Sequence, residues 1–265
     1  MSQSTIVRYE VRDQVATITL NRPETLNAMT GELMAGITDG CTRVRADESI
    51  RALVITGEGR GFCSGADLNN ASAPSPSSEA TERRGEDTFN TAMRALYDCP
   101  VPTVARVNGA AAGGGFGLAL ACDITVASEK AFFVATFGPN LGIVPDMGAT
   151  WSIPLRAGRA RAMGITLLGE RISAAQAQEW GLIWRCVPHE ELDDAVTQVV
   201  ATLKRSSPST VTRIRQSIDA AKDNTFSEQL DLEMVHQAVL IPRNMQRGAE
   251  AFLAKRTPEF GGERD

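Results

Sequence analysis

Histidine is almost missing from this chain, with His189 and His236 the whole complement in 265 residues. A histidine-rich metal site therefore lacks its ligands. Basic residues are in deficit, 27 against 32 acidic, and the net charge of −5 leaves no basic footprint for a nucleic acid. Long apolar runs are absent too. The longest uncharged stretch, between Asn108 and Asp123, is rich in Gly and Ala and falls short of the ~20 residues a membrane span requires. No basic segment followed by an apolar one opens the sequence, so neither secretion nor a membrane partner is expected. The cysteines (Cys41, Cys63, Cys99, Cys122 and Cys186) are odd in number and carry no metal-ligand spacing. They read as small core thiols of a reduced, cytoplasmic protein.

Two glycine-rich stretches stand out against this background, GRGFCSGADLNN (59–70) and VNGAAAGGGFG (107–117). Each follows a β-branched run, ALVIT (52–56) and PTVARV (102–107), and each leads toward a helix. A strand, a tight turn and a helix start leave backbone N–H groups unpaired and aimed at one point. Two such turns on neighbouring strands suit a single developing oxyanion held between two donors. The plainer alternative is that the glycines serve only tight turns and close packing.

The opening reads as a hairpin, residues 6–11 and 14–20 about a turn at Arg12-Asp13. A helix is expected from about Thr30 to Ala46, a buried strand at 52–56, and then a recurring strand–strand–helix unit. Its later members are strands at 103–107, 124–127 and 131–136, and a helix starting near Gly114. The Ser-, Pro- and charge-rich segment 71–85 reads as a solvated loop or a flap beside a site. From Leu192 onward apolar residues recur at helical spacing. The expected division is a core over 1–191 and a helical appendage over 192–265.

Six blocks, in order and covering nearly the whole chain, resemble the crotonase (enoyl-CoA hydratase/isomerase) superfamily. They are LNRPETLNAMT (20–30), RALVITGEGRGFCSGADL (51–68), PTVARVNGAAAGGGFGLALACDI (102–124), LGIVPDMGATW (141–151), AAQAQEWGLIWRCVP (174–188) and EAFLAKRTPEF (250–260). The resemblance implies an α/β fold, a crotonase-like ββα spiral with a C-terminal α-helical trimerisation region. It further implies a homotrimer or dimer of trimers acting on an acyl-CoA thioester, with coenzyme A part of the substrate and no separate cofactor.

Carried over position by position, the oxyanion donors are the N–H groups of Ala66 and Gly114. The coenzyme A contacts are Ser64, Gly65, Asp67, Leu68 and Asn69, with Arg22 and Leu26 at the entrance. Phe252 and Lys255 match a pair reaching the nucleotide on a neighbouring subunit. Asn69 departs from the lysine common there. Arg22 and Leu26 read equally as capping and packing residues, Asp67 as a brace for the turn, and Lys255 as a solvated position.

The hydratases of the superfamily use two glutamates; here their positions hold Gly117 and Gly138. A carboxylate reappears at Asp146, in a Pro-Asp-x-Gly-Ala-Thr-Trp context that resembles the ring-1,2-epoxyphenylacetyl-CoA isomerases. Isomerisation needs one mobile base, and a desolvated aspartate can serve; otherwise Asp146 is a turn residue after proline. Trp151, Phe116 and Phe137 are candidates to shape the acyl end. The expected activity is double-bond isomerisation of an unsaturated acyl-CoA. The alternatives are a hydratase and a homologue that binds acyl-CoA without turnover. A dinucleotide fold is disfavoured because Gly113 to Gly117 lacks the third fingerprint glycine, and a serine hydrolase because no Gly-x-Ser-x-Gly elbow occurs.

Overall fold

The opening hairpin forms one residue later than the sequence suggests. In the computed structural model, which describes residues 6–68 and 88–264, strand β1 spans Val7–Arg12 and β2 spans Val15–Leu20. Their two-residue turn is Asp13-Gln14, both left-handed (φ 49° and 66°), as the twist of a tight hairpin demands. The segment 71–85 and Asn69 lie outside the described residues.

Helix α1 (Gly31–Ala46) begins where its cap permits: Thr30 accepts a hydrogen bond from the Leu33 N–H at 3.2 Å. Leu33, Met34, Ile37, Cys41 and Val44, at helical spacing, are its buried stripe. Beyond it the chain alternates between two sheets. Strands β3 (Ala52–Gly57), β5 (Thr103–Val107) and β7 (Ile124–Ser128) join a six-stranded sheet in the order β1-β2-β3-β5-β7-β10, where β10 is Arg185–Val187. Strands β4 (Gly61–Cys63), β6 (Ala110–Ala112), β8 (Phe132–Val134) and β9 (Ile172–Ser173) form the second sheet in that order. Each turn of chain thus adds one strand to either sheet before a helix, which is the expected ββα spiral.

Strand β3 is buried along its whole length because both of its faces are covered. Leu53 and Ile55 point into the main core, while Ala52 and Val54 join Val104, Val126 and Val187 on the opposite face. Leu192, Ala195, Val196 and Val200 of α7 (Leu192–Leu203) cover that second face. Three helices sit between these parts: α2 (Thr88–Tyr97), α3 (Gly114–Leu120) and the short α4 (Gly138–Leu141). They are followed by α5 (Ala149–Leu168), interrupted by non-helical Gly158, and α6 (Ala174–Glu179).

After α7 come α8 (Pro208–Ala220), α9 (Phe226–Leu240), a π turn at 241–245 and α10 (Gln246–Leu253). Polar latches fasten this region to the core. Arg215 of α8 donates to both Asp123 carboxylate oxygens (2.8 and 2.7 Å) and to the Cys99 carbonyl (2.8 Å). Near the end of the chain Arg264 donates to the carbonyls of Val44, Asp47 and Ile50, closing the C-terminal side of α1.

Helix α3 approaches β4 closely enough to exclude a side chain. A methyl group built on Gly115 would stand 2.2 Å from the Cys63 carbonyl oxygen. The obstacle is backbone and cannot rotate away. Gly115→Ala should therefore destabilise the protein by about 3 kcal/mol, the upper range for overpacking, measured by urea denaturation. An unchanged midpoint would contradict this contact.

Candidate active site

Two backbone turns, held side by side by the parallel pairing of β4 with β6, make the centre of the site. After β4 the segment 64–67 runs alongside residues 26–29. Ser64 N–H donates to the Leu26 carbonyl (3.0 Å), Met29 N–H to the Gly65 carbonyl (2.8 Å), and Asp67 N–H to the Met29 carbonyl (2.9 Å). Both groups flanking Ala66 are thus spent on Met29, so the Ala66 N–H faces the opposite side. Ala66 is itself exposed, and Gly65 before it is left-handed at φ 90°.

In the second turn Gly113, at φ 51°, donates its N–H to the Val134 carbonyl (2.9 Å). Gly114 then opens α3, where an N–H has no carbonyl four residues back to receive it. The turns nearly touch: a methyl group built on Gly65 would lie 3.4 Å from the Gly114 nitrogen and 2.9 Å from the Ala112 carbonyl oxygen. The donors expected from the sequence therefore belong to adjacent backbone segments. Cys63 lies just behind them, and burial pushes its thiol up to about 12, so it stays protonated and offers no nucleophile.

Asp146 follows α4 on the loop 142–148. Its carbonyl accepts the Ala149 N–H (2.9 Å) as α5 begins, and its side chain is exposed. The described residues of this chain do not supply the desolvation expected of it. Leu141 at the end of α4 and the loop residues Ile143 and Val144 are apolar but outward, Val144 at 75% exposure. The next residue, Met147, is buried and rests on α3. A methyl group on Gly117 would stand 2.5 Å from the Met147 carbonyl oxygen, and one on Gly138 would stand 3.0 Å from that of Thr166. Neither glycine has space for a glutamate without movement of the backbone facing it.

The entrance residues are engaged with one another. Arg22 donates to Asp67 Oδ2 (2.8 Å) and to the Ala28 carbonyl (2.6 Å), with its side chain 15% and that of Asp67 6% exposed. Their pair joins the loop before α1 to the Ala66 turn. The Ser64 hydroxyl donates to the Thr25 carbonyl (2.9 Å), and Leu26, left-handed at φ 55°, is half-buried beside Gly61. Leu68 is exposed at the lip. Phe252 and Lys255, at the end of α10, are exposed, and among the described residues no hydrogen bond or ion pair joins either to 64–68.

Phe116 packs on Phe133 in the core, with ring centroids 5.1 Å apart, and Phe137 is buried as well. Trp151 meets Tyr97 edge-on at 5.7 Å and lies under the Lys222 ammonium. These two aromatics line a cavity of about 670 Å3 that reaches Leu120 and Cys122. It therefore opens at the far end of α3 from Gly114 and is separate from the paired donors. Sequence reasoning overlooked Met29 and Met147, which flank Gly114; a lone methionine in a loop carries no pattern to mark it. Among the described residues no cluster of His, Cys, Asp and Glu could hold a metal, and no helix is long and apolar enough to cross a membrane.

The chain is similar to known proteins over nearly its whole length. A family model described as enoyl-CoA hydratase/isomerase matches residues 10–263. The 1,2-epoxyphenylacetyl-CoA isomerase of Escherichia coli is 43% identical over 254 residues, covering 95% of this chain and 97% of the relative. A probable enoyl-CoA hydratase of Rhodobacter capsulatus is 39% identical over 263 residues, covering 99% and 100%. Among solved structures, an enoyl-CoA hydratase from Polaromonas sp. JS666 superposes with a TM-score of 0.88 at 32% identity, covering 96% of this chain and 99% of that one.

Because the Arg22–Asp67 pair is nearly dry, removing one partner strands the other's charge. Asp67→Ala should cost about 3–5 kcal/mol of stability, read by urea denaturation. A loss under about 1 kcal/mol, as for a solvated pair, would contradict the bracing role.

Proposed function

Since the chain belongs to the enoyl-CoA hydratase/isomerase family, we propose that it is the isomerase kind, moving a carbon–carbon double bond in an unsaturated acyl-CoA by means of one carboxylate. The observation that carries this reading is the closure of Gly117 by the Met147 carbonyl, with Asp146 on the same loop. Water addition by an acid pair has no space for its first acid there. Double-bond migration needs only a base that gives back the proton it takes.

In this reading the thioester oxygen sits between the Ala66 and Gly114 N–H groups. Asp146 removes a proton from the carbon between the carbonyl and a β,γ double bond. The electron pair passes to the oxygen as a dienolate, which the two donors stabilise. The same carboxyl then protonates the γ carbon, leaving an α,β double bond and an unchanged mass.

The likeness to an isomerase named for an epoxide of phenylacetyl-CoA makes ring-derived thioesters the substrates to try beside linear ones. Coenzyme A is proposed to lie along 64–68, with Arg22 and Leu26 behind that segment and Asn69 outside the described residues. A homotrimer, bringing Phe252 and Lys255 to a neighbouring subunit's nucleotide, belongs to the same reading. Exposed Phe226, Met234, Met245 and Phe252 on the terminal helices support it. The hydratase alternative draws on the printed name of the Rhodobacter capsulatus relative.

Products from a β,γ-enoyl-CoA and from crotonyl-CoA, resolved by mass and retention, test the assignment. The α,β isomer should appear without mass change. Asp146→Asn should lower that rate by about 100- to 10,000-fold, and Ala66→Pro, which deletes one donor, by about 100- to 1,000-fold. A gain of one water on crotonyl-CoA alone would make the enzyme a hydratase, and tight acyl-CoA binding with no turnover would make it a binder. Full isomerase activity in Asp146→Asn would remove the base from the mechanism.

A further inference from the structure

Met147 stands apart from its neighbours on the loop. Asp146 and Gly148 are exposed, while Met147 is 6% exposed. Its backbone is left-handed at φ 52°, a conformation that an ordinary side chain holds only when its surroundings enforce it. The surroundings are two glycines one turn apart on α3. A methyl group on Gly114 would lie 3.1 Å from Met147 Cγ, and one on Gly117 would lie 2.5 Å from the Met147 carbonyl oxygen. Side chain and main chain of one residue thus rest on the same helix face.

Gly114 is gripped from a second direction. The same methyl position is 3.1 Å from Met29 Sδ, and the Met29 backbone holds the segment carrying Ala66. A continuous chain of contacts therefore runs from Ala66 through Met29, Gly114 and Met147 to Asp146. Unbranched, adaptable thioethers suit the irregular gaps between these backbones. The main chain next to Asp146 is thus held on one side by the Met147 carbonyl facing Gly117 and on the other by the buried Met147 side chain.

We infer that Met147 is a positioning residue, fixing the Asp146 carboxylate at a set distance from the Gly114 donor. The inference rests on the reading of Asp146 as the base. It concerns the placement of that base, which activity of the parent protein alone does not reveal. Reacting groups displaced by about 1 Å can lose about 100-fold in rate while binding is kept. The signature is thus a fall in kcat with little change in KM.

The test uses full-length Met147→Ala, Met147→Leu, Met147→Asn and Gly117→Ala. Each is assayed for kcat and KM on a β,γ-enoyl-CoA, for the Kd of saturated butyryl-CoA, and for thermal unfolding. Met147→Ala should lose about 10- to 100-fold in kcat, with KM and the butyryl-CoA Kd within about threefold of the parent. Met147→Leu, restoring the apolar wedge, should recover most of the rate. Gly117→Ala pushes on the Met147 carbonyl from the other side and should lower kcat in the same manner. Combined with Met147→Ala it should cost less than the product of the two losses, because both act through one loop.

If Met147→Ala does not fold, Met147→Asn decides the matter, since Asn accepts left-handed backbone while lacking the wedge. A kcat within twofold of the parent in a folded Met147→Ala or Met147→Asn protein, equal losses in KM and butyryl-CoA affinity, or strictly multiplicative losses would each overturn the inference. Retained activity in Asp146→Asn would instead overturn the underlying assignment of the base. The two failures are read from different variants.

Discussion

The approach of α3 to β4, with the Gly115 Cα seated against the Cys63 carbonyl, is the contact on which the site depends. It brings a helix start and a strand end within reach of each other, where side chains would ordinarily hold them apart. With Gly65 facing Ala112 in the same way, two peptide N–H groups from distant parts of the chain become neighbours. Such an arrangement is stiff because its parts are backbone in van der Waals contact, and if the two N–H groups are the proposed donors, they need no rearrangement when charge develops between them. The spiral serves this contact: alternating strands between two sheets place β4 and β6 next to each other in parallel, so their following turns emerge on one side.

Around this backbone centre the charged side chains act as fasteners. Arg22 and Asp67 tie the loop before α1 to the turn bearing Ala66, and Arg215 ties α8 to Asp123 and to the chain entering β5. A carboxylate this well covered and engaged by a guanidinium is ill suited to exchange protons with a substrate. That separates Asp67, adjacent in sequence to Ala66, from Asp146. In this protein burial in an ion pair with Arg22 marks Asp67 as the structural acid, and the loop braced against α3 carries the candidate base.

Much of the fold was legible because its signals are local. The Thr30 cap, the stripe of α1, the wholly buried β3 and the glycines at both turns each follow from a few adjacent residues. The hairpin register slipped by one because Gln14, a residue with no turn preference, takes a left-handed conformation that the strand pairing imposes. The strand expected at 131–136 shortens to Phe132–Val134, since the backbone beyond is diverted toward α4. What no local pattern disclosed is the side-on packing of Met29 and Met147 against Gly114. Those contacts join residues more than thirty positions apart, and methionine fills such gaps without a preferred spacing.

The reaction is set as much by closed space as by the groups present. Enolate-stabilising donors serve hydration and isomerisation alike, since both put charge on the thioester oxygen; what differs is whether a second acid and a water fit beside the carbon chain. At Gly117 the obstacle is the Met147 main chain, so even a side chain one carbon long meets a carbonyl. Nor would an opening at Gly117 alone suffice, for the loop that closes it is also the loop that carries Asp146. Making room for a second carboxylate there displaces the first. On the proposed one-base reading, a change to acid-pair hydration would therefore require the segment 142–148 to be rebuilt as a unit.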